Sequence, residues 1–475
     1  MDDEVKVIHQ CQVSPPQGSL PSSITIPLSY LDLPWFRCPY MKRIYYYNFP
    51  HSTQHFLQTS LPILKNSLSL TLQHFFPFSS KTVFPPKPKT PYILYSQGDS
   101  ISFTICESKS NFNHLISNSP KDLAISNPFA PLIPSPSILQ DGTLLFPILA
   151  IQITLFPNSG LTICLTFRHE IADGKSFHHF IKYWSLLSSG NLGNSSLSLP
   201  LHNRDIIQDT KNLKQSFLEQ LWNSPPKTIE STSSNNNMVR HRFILTHHQV
   251  EKLKRWIVTK SKTIGLETLH LSTFVVTCSL FWVSKVKTQS QHDTNKSIVD
   301  CVFDNDFDDN YGFGFLMDLR DHFKISTNYF GNCLGSCIVA LPKRKLSGEN
   351  GICEAVNSIG IEIKGLIDPL KRVEDLMFLQ RIRDLDIKFQ NITSVAASPK
   401  FNVYETNFGW GKPVLSEILH VENSSTFCLS SSKDEDRGIE VGMVLEAAQV
   451  KKFSDVLEAQ LRDIVGLDEI ISRGK

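Results

Sequence analysis

The stretch Leu161-Thr162-Ile163-Cys164-Leu165-Thr166-Phe167-Arg168-His169-Glu170-Ile171-Ala172-Asp173-Gly174 changes its period part-way along. Leu161, Ile163, Leu165 and Phe167 alternate with Thr162, Cys164, Thr166 and Arg168, the pattern of a strand with one buried face. His169 continues the buried set. Beyond Gly174, Phe177, Phe180, Ile181, Trp184 and Leu187 recur at helical spacing, so the chain turns near Asp173-Gly174 and enters an amphipathic helix. An imidazole thus sits at a strand end, facing inward. Alone, such a histidine reads as a core residue with hydrogen-bonded ring nitrogens.

Working outward, Ile148 to Leu155 pairs with Leu161 to Arg168 as a hairpin across Phe156-Pro157-Asn158-Ser159-Gly160. Leu61, Leu64, Leu68, Leu72 and Phe75 predict a long helix that stops at Pro77. Ser188-Ser189-Gly190-Asn191 and Ser231-Thr232-Ser233-Ser234-Asn235-Asn236-Asn237 are polar runs that bury too little to order themselves. They suggest a crossover linker over about 201–237, an N-terminal domain over about 1–200 and a C-terminal domain over about 238–475. In the latter, Thr246-His247-His248-Gln249 is a capping box opening a helix that buries Val250, Leu253 and Ile257. Strands and helices alternate irregularly in both halves, which predicts two α/β domains of mixed sheet.

A chain of 475 residues also exceeds one ordinary core. A net charge of +2 with both signs mixed offers no electrostatic case for nucleic acid. The opening Met1-Asp2-Asp3-Glu4-Val5-Lys6 lacks the basic and apolar regions of a signal peptide, and no apolar run reaches the roughly 18 residues of a membrane span. A cytoplasmic protein with no membrane partner is expected. Ten cysteines, scattered from Cys11 to Cys428, fit reduced and mostly buried thiols. Cys333 and Cys337 lack a second ligand pair for a metal. The acidic string Asp304-Asn305-Asp306-Phe307-Asp308-Asp309 has Asp309 and Phe315 where a calcium loop needs Gly and Glu. Neither a metal nor a bound cofactor is expected.

Two strings far from the histidine change its reading: Tyr329-Phe330-Gly331-Asn332-Cys333 and Asn407-Phe408-Gly409-Trp410-Gly411-Lys412-Pro413. With His169-x-x-x-Asp173-Gly174 they resemble the BAHD acyltransferases of plants, which carry H-x-x-x-D-G in mid-chain and D-F-G-W-G near the C-terminus. Y-F-G-N-C is typical of the branch acting on anthocyanins and other phenolic glycosides. Ile26-Pro27-Leu28 through Leu33-Pro34-Trp35 resembles that branch's opening, Met317-Asp318-Leu319-Arg320 its D-x-R strand, and Ser398-Pro399-Lys400-Phe401 the approach to its last motif. Three motifs in order at family-like spacing are specific where H-x-x-x-D alone is weak. The resemblance implies two chloramphenicol-acetyltransferase-like domains with the active site in a channel between them. It also implies an acyl-coenzyme A thioester as co-substrate and a phenolic glycoside acceptor. A monomer is expected.

Moving an acyl group from a thioester to an alcohol needs a base for the hydroxyl proton, stabilisation of an oxyanion and alignment of two substrates. A neutral histidine suits the first task, and the resemblance gives it to His169. No G-x-S-x-G elbow occurs, so direct transfer in a ternary complex is expected rather than an acyl-enzyme. Asp173, four residues on, looks like an orienting partner for the histidine, whereas the resemblance implies a structural aspartate that holds an arginine. Gly174 permits a tight turn or the close approach of substrate. Asn407 departs from the family's aspartate, which is thought to pair with the arginine of the D-x-R strand, here Arg320. Since an amide supplies no charge, a weakened pair is expected. By resemblance Phe408, Gly409, Trp410 and Gly411 are structural. Lys252, Lys254 and Arg255 form a basic cluster that reads as coenzyme A phosphate ligands or as solvated helix charges. Ser272 and Thr273 resemble a segment lining the coenzyme site in relatives.

The branch uses two common donors. A malonyl group wants a cation for its carboxylate, and a hydroxycinnamoyl group an apolar slot. Arg168 offers a cation, although alternation turns it from the face of His169, while Ile171, Ala172 and Phe177 tilt toward an aromatic donor. Malonyltransferases dominate the branch, which leaves a slight lean to malonyl. Two alternatives stand beside transfer to a sugar hydroxyl: a weakened homologue that only binds, suggested by Asn407, and transfer to an amine.

Overall fold

The computed structural model describes residues 5–194, 196–224, 237–266, 270–290, 309–365, 369–374, 379–433 and 437–465. The polar run at 231–236 and the acidic string at 304–308 lie outside these residues. The chain forms two compact units, the first made of Met1–Asn236, Asp318–Leu334 and Pro399–Glu422 and the second of Asn237–Met317, Gly335–Ser398 and Asn423–Lys475. This corrects the expectation of two contiguous domains. The D-x-R, Y-F-G-N-C and F-G-W-G segments all belong with the N-terminal unit, because their partners are the histidine turn and its sheet. Part of the segment read as linker is also ordered: the helix Leu213–Asn223 buries Leu213, Phe217, Leu218 and Leu221.

The first unit is built on a mixed sheet. Its strands are β1 (Val5–Val13), β2 (Met41–Asn48), β3 (Ile101–Ser108), β4 (Leu149–Phe156), β5 (Gly160–Phe167) and β6 (Leu415–Ile418), in the order β1-β3-β4-β5-β2-β6. The predicted hairpin is present, with Leu149 opposite Phe167 and Phe156 opposite Gly160, while β3 and β4 run parallel. Every residue of β5 is buried, so the alternation of long and short side chains marks two covered faces and not one. The short face is apolar enough to be covered: Cys164 packs in a cluster with Ile44, Tyr46, Phe112 and Phe156. On the other face lies α2 (Gly174–Ser188), which packs on α1 (Leu61–His74) through Trp184, whose indole N–H reaches the Leu64 carbonyl at 3.2 Å. A second sheet in this unit orders Ser23–Pro27, Tyr92–Ser96, Lys81–Phe84, Leu144–Pro147 and Ser137–Ile138 as antiparallel neighbours.

The second unit orders Leu334–Pro342, Asn310–Asp318, Ile387–Ala396, Thr426–Ser431, Ile439–Glu446 and Met238–Leu245 in one sheet. Its helix α3 (His247–Thr263) opens on the predicted capping box, Thr246 Oγ1 accepting from the Gln249 amide at 3.1 Å and Gln249 Oε1 from the Thr246 amide at 2.9 Å. Helix α4 (Thr273–Ser290) is buried almost all round, as a helix without a polar face must be. Among the described residues no helix is long and apolar enough to cross a membrane. The nine described cysteines are free.

Gly160 tests the covered face of β5. A Cβ there would lie 2.3 Å from Phe112 Cζ, and that ring is itself held in the cluster. Gly160→Ala should therefore destabilise by about 1–3 kcal/mol through overpacking, seen as a lower denaturation midpoint. An unchanged midpoint would mean that the ring has room to move.

Candidate active site

The ladder of β5 ends as the Arg168 amide donates to the Ile148 carbonyl at 3.1 Å. Helix α2 starts only at Gly174, with Asp173 as N-cap accepting from the Ser176 amide at 2.9 Å. His169 to Ala172 bridge the gap. His169 is 8% exposed, and its ring stacks on Trp35 with centroids 4.1 Å apart and planes 10° from parallel. Its Nδ1 lies 3.1 Å from Asn332 Oδ1. The Asn332 side-chain NH2 donates to the His169 carbonyl at 2.9 Å and to Asp32 Oδ1 at 3.1 Å. Both amide hydrogens are thereby used, so the atom facing the ring is the amide oxygen, which can only accept. Nδ1 therefore carries the imidazole proton. Nε2 keeps its lone pair and has no hydrogen-bond partner among the described residues.

Burial lowers the His169 pKa from its ordinary 6.5, opposed by its own backbone carbonyl, Asp173, Glu170 and Asn332. The ring is accordingly neutral at pH 7. The structure thus gives the sequence-predicted base a free, unprotonated nitrogen. Asn332, Trp35 and Asp32 were not assigned roles from sequence. Their strings stand out as family markers, but nothing local says that Asn332 and Trp35 meet at one ring with Asp32 behind the asparagine.

Asp173 does not orient the histidine. Its Oδ2 pairs with Arg320 Nη1 at 2.8 Å and accepts from the Cys333 amide at 3.1 Å. Arg320, 1% exposed, also donates to Asp318 Oδ1 at 2.9 Å and to the carbonyls of Tyr329 and Gly331 at 3.1 and 3.2 Å. Burial works against the Arg320 charge, and Asp173 and Asp318 more than offset it. Asn407 is not its partner, which corrects the expected Arg320–Asn407 pair. Instead Asn407 Oδ1 accepts from the amides of Gly409 and Gly411 at 2.9 and 3.0 Å. Those glycines have φ of 116° and 108°, the left-handed region that a turn of this kind requires. Phe408 packs edge-on against Trp184, and Trp410 against Phe49 at 5.7 Å. Gly174 has a different reason from the expected one: a Cβ there would lie 2.8 Å from the Phe401 ring.

Arg168 is buried and pairs with Glu170, its guanidinium 4.2 Å from the Phe146 ring centroid. Ile171 and Ala172 are fully buried, and Phe177 stacks on Phe167. They are core residues, which removes them from the argument about the acyl group. Lys252, Lys254, Ser272 and Thr273 fall in the second unit. Lys254 pairs with Glu251 at 2.7 Å, and Ser272 Oγ accepts from the Val275 amide at the start of α4. Among the described residues no group of three or more His, Cys, Asp or Glu is arranged to hold a metal.

The profile of the Transferase family matches residues 4–460. Coumaroyl-CoA:anthocyanidin 3-O-glucoside-6''-O-coumaroyltransferase 1 of Arabidopsis thaliana is 36% identical, over 96% of this chain and 97% of the relative. Malonyl-coenzyme A:anthocyanin 3-O-glucoside-6''-O-malonyltransferase of Dahlia pinnata is 29% identical, over 97% of this chain and 98% of the relative. Among solved structures, vinorine synthase superposes with a TM-score of 0.66 at 16% identity, over 97% of this chain and 98% of that one, a likeness of fold.

The reassigned arginine yields a stability test. Asp173→Asn should cost on the order of 3 kcal/mol, the penalty for breaking a buried pair, because Arg320 keeps only the half-exposed Asp318. Asn407→Asp and Arg320→Gln should be additive within about 0.5 kcal/mol, as sites without a shared contact are. A larger coupling in the double-mutant cycle would restore the 320–407 pair.

Proposed function

The chain belongs to the BAHD acyltransferases, acyl-CoA-dependent enzymes, and on that premise we propose that it transfers a hydroxycinnamoyl group to a sugar hydroxyl of an anthocyanin or other phenolic glucoside, with His169 as general base. The observation carrying the base role is the Nδ1–H held by Asn332 beside an Nε2 that has no partner among the described residues. Nε2 takes the acceptor hydroxyl proton as that oxygen bonds to the thioester carbonyl carbon. Collapse of the tetrahedral oxyanion breaks the C–S bond, and the imidazolium returns the proton to the coenzyme A thiolate. No acyl-enzyme is needed.

Charge supports the aromatic donor. A malonyl carboxylate needs a cation, yet the three arginines tied into the histidine segment are each paired: Arg168 with Glu170, Arg204 with Asp32 and Arg320 with Asp173. Importing a carboxylate beside these neutral pairs has no electrostatic reward. The higher identity to the coumaroyltransferase than to the Dahlia malonyltransferase, 36% against 29%, agrees with this reading, which departs from the lean drawn from the sequence. The binding-only alternative loses its motive, since Arg320 has its carboxylates without residue 407.

His169→Ala should lower turnover by about 10²–10⁴-fold while the protein stays folded; near-wild-type turnover would sink the base assignment. With coumaroyl-, caffeoyl-, malonyl- and acetyl-CoA offered against flavonoid glucosides, product mass should show the two aromatic acyl groups preferred, and a malonyl preference would overturn the donor reading.

The pH profile has a definite sign. Because burial holds the folded ring's pKa below its ordinary 6.5, the acid limb of kcat/KM should have its midpoint below pH 6.5. Between the folded and unfolded values the unfolded chain binds more protons, so this histidine's contribution to stability is full above 6.5 and lost as pH falls toward the folded value. An acid limb at or above 6.5 would contradict the buried neutral ring.

A further inference from the structure

Resting on His169 as the base, we propose that Asp32 is a positioning residue for the reaction: acting through Asn332, its carboxylate selects the imidazole tautomer able to accept the substrate proton. Asp32 is fully buried, at the head of the turn Leu33–Arg37 that also carries Trp35. Its Oδ2 is saturated by the Ser29 amide at 3.0 Å, Ser29 Oγ at 2.7 Å and Arg204 Nε at 3.2 Å. Its Oδ1 accepts from the Asn332 amide and from Asn332 Nδ2, both at 3.1 Å. The Ser29 and Asn332 amides and the Arg204 guanidinium all donate to this carboxyl group, so it acts as the acceptor and the asparagine side chain facing it presents its NH2.

The second hydrogen of that NH2 goes to the His169 carbonyl, which leaves the amide oxygen for His169 Nδ1. Turning the amide over would set its oxygen against two acceptors, Asp32 and the His169 carbonyl. It would also point the NH2 at Nδ1, favouring the Nε2-protonated ring, in which the base is silent, over the Nδ1–H that the His169 carbonyl also supports. Asp32 and Asn332 stand 300 residues apart in the chain, and the carboxylate never touches the ring. Its influence passes through one amide. Arg204 pairs with Asp32 through Nε at 3.2 Å and is itself anchored on the carbonyls of Phe330 and Ile171.

The test separates this role from packing. Asp32→Asn should lower kcat about 10–100-fold, within the roughly 10²–10⁴-fold that the base itself contributes, with KM for both substrates little changed. In histidine-15N-labelled protein, the His169 signal, identified by its loss in His169→Gln, should show Nδ1 protonated in the wild type and a shift toward protonated Nε2 in Asp32→Asn. Asn332→Asp alone sets two carboxylates face to face and should be nearly inactive. The exchange Asp32→Asn/Asn332→Asp places one carboxylate directly on Nδ1–H and should recover at least about tenfold over Asn332→Asp, with the acid limb of kcat/KM moved to higher pH. Additive loss in the exchange, or wild-type kcat and tautomer in Asp32→Asn, overturns the proposal. If Asp32→Asn does not fold, the exchange, which conserves the number of carboxylates, decides. His169→Ala run alongside keeps the questions apart: an active His169→Ala removes the base reading itself, whereas an inactive one with an indifferent Asp32 removes only this inference.

Discussion

A guanidinium at 1% exposure holds the site together. Arg320 cannot remain charged in that setting without a carboxylate and hydrogen-bonded carbonyls around it, and Asp173 supplies the first while the Tyr329–Gly331 loop supplies the second. The pair thereby fastens the turn between β5 and α2 to a loop far along the chain. Asp173 does three tasks at once, capping α2, pairing with Arg320 and accepting the Cys333 amide. Asn332 sits one residue before Cys333, so the same fastening delivers its amide to the imidazole.

Charge placement in this unit follows one rule: each arginine near the histidine meets its own carboxylate. Arg168 with Glu170, Arg204 with Asp32 and Arg320 with Asp173 are all buried pairs. Such pairs contribute little net stability but cost several kcal/mol, about 3–5, when one partner is removed, so they define a single arrangement of the segments they join. The F-G-W-G turn stands apart from this network. Asn407 satisfies the amides of Gly409 and Gly411, a local task in which an amide oxygen serves as an acceptor just as a carboxylate oxygen does. The departure from the family's aspartate is thus confined to its own turn.

Local pattern was legible wherever neighbours in sequence are neighbours in space. The hairpin Leu149–Phe167, the helix after Asp173, the helix Leu61–His74 and the Thr246 capping box all follow from periodicity and short-range hydrogen bonds. Two errors share one cause. The exposed face read into β5 came from residue type and the Arg320–Asn407 pair from the resemblance, and what covers Cys164 or meets Arg320 comes from elsewhere in the chain.

The sequence by itself determined a mixed α/β chain, a histidine at a strand end facing inward, and motifs sufficient to indicate the family. Tertiary structure alone decided which unit each motif belongs to, which carboxylate Arg320 takes, and which nitrogen of His169 carries the proton. The physical reason is that periodicity reports which face of an element is apolar, a property of consecutive residues. A tautomer depends on the donors and acceptors around one ring, and here the acceptor side chain arrives from Asn332, turned by Asp32 behind it, segments whose meeting no local pattern encodes.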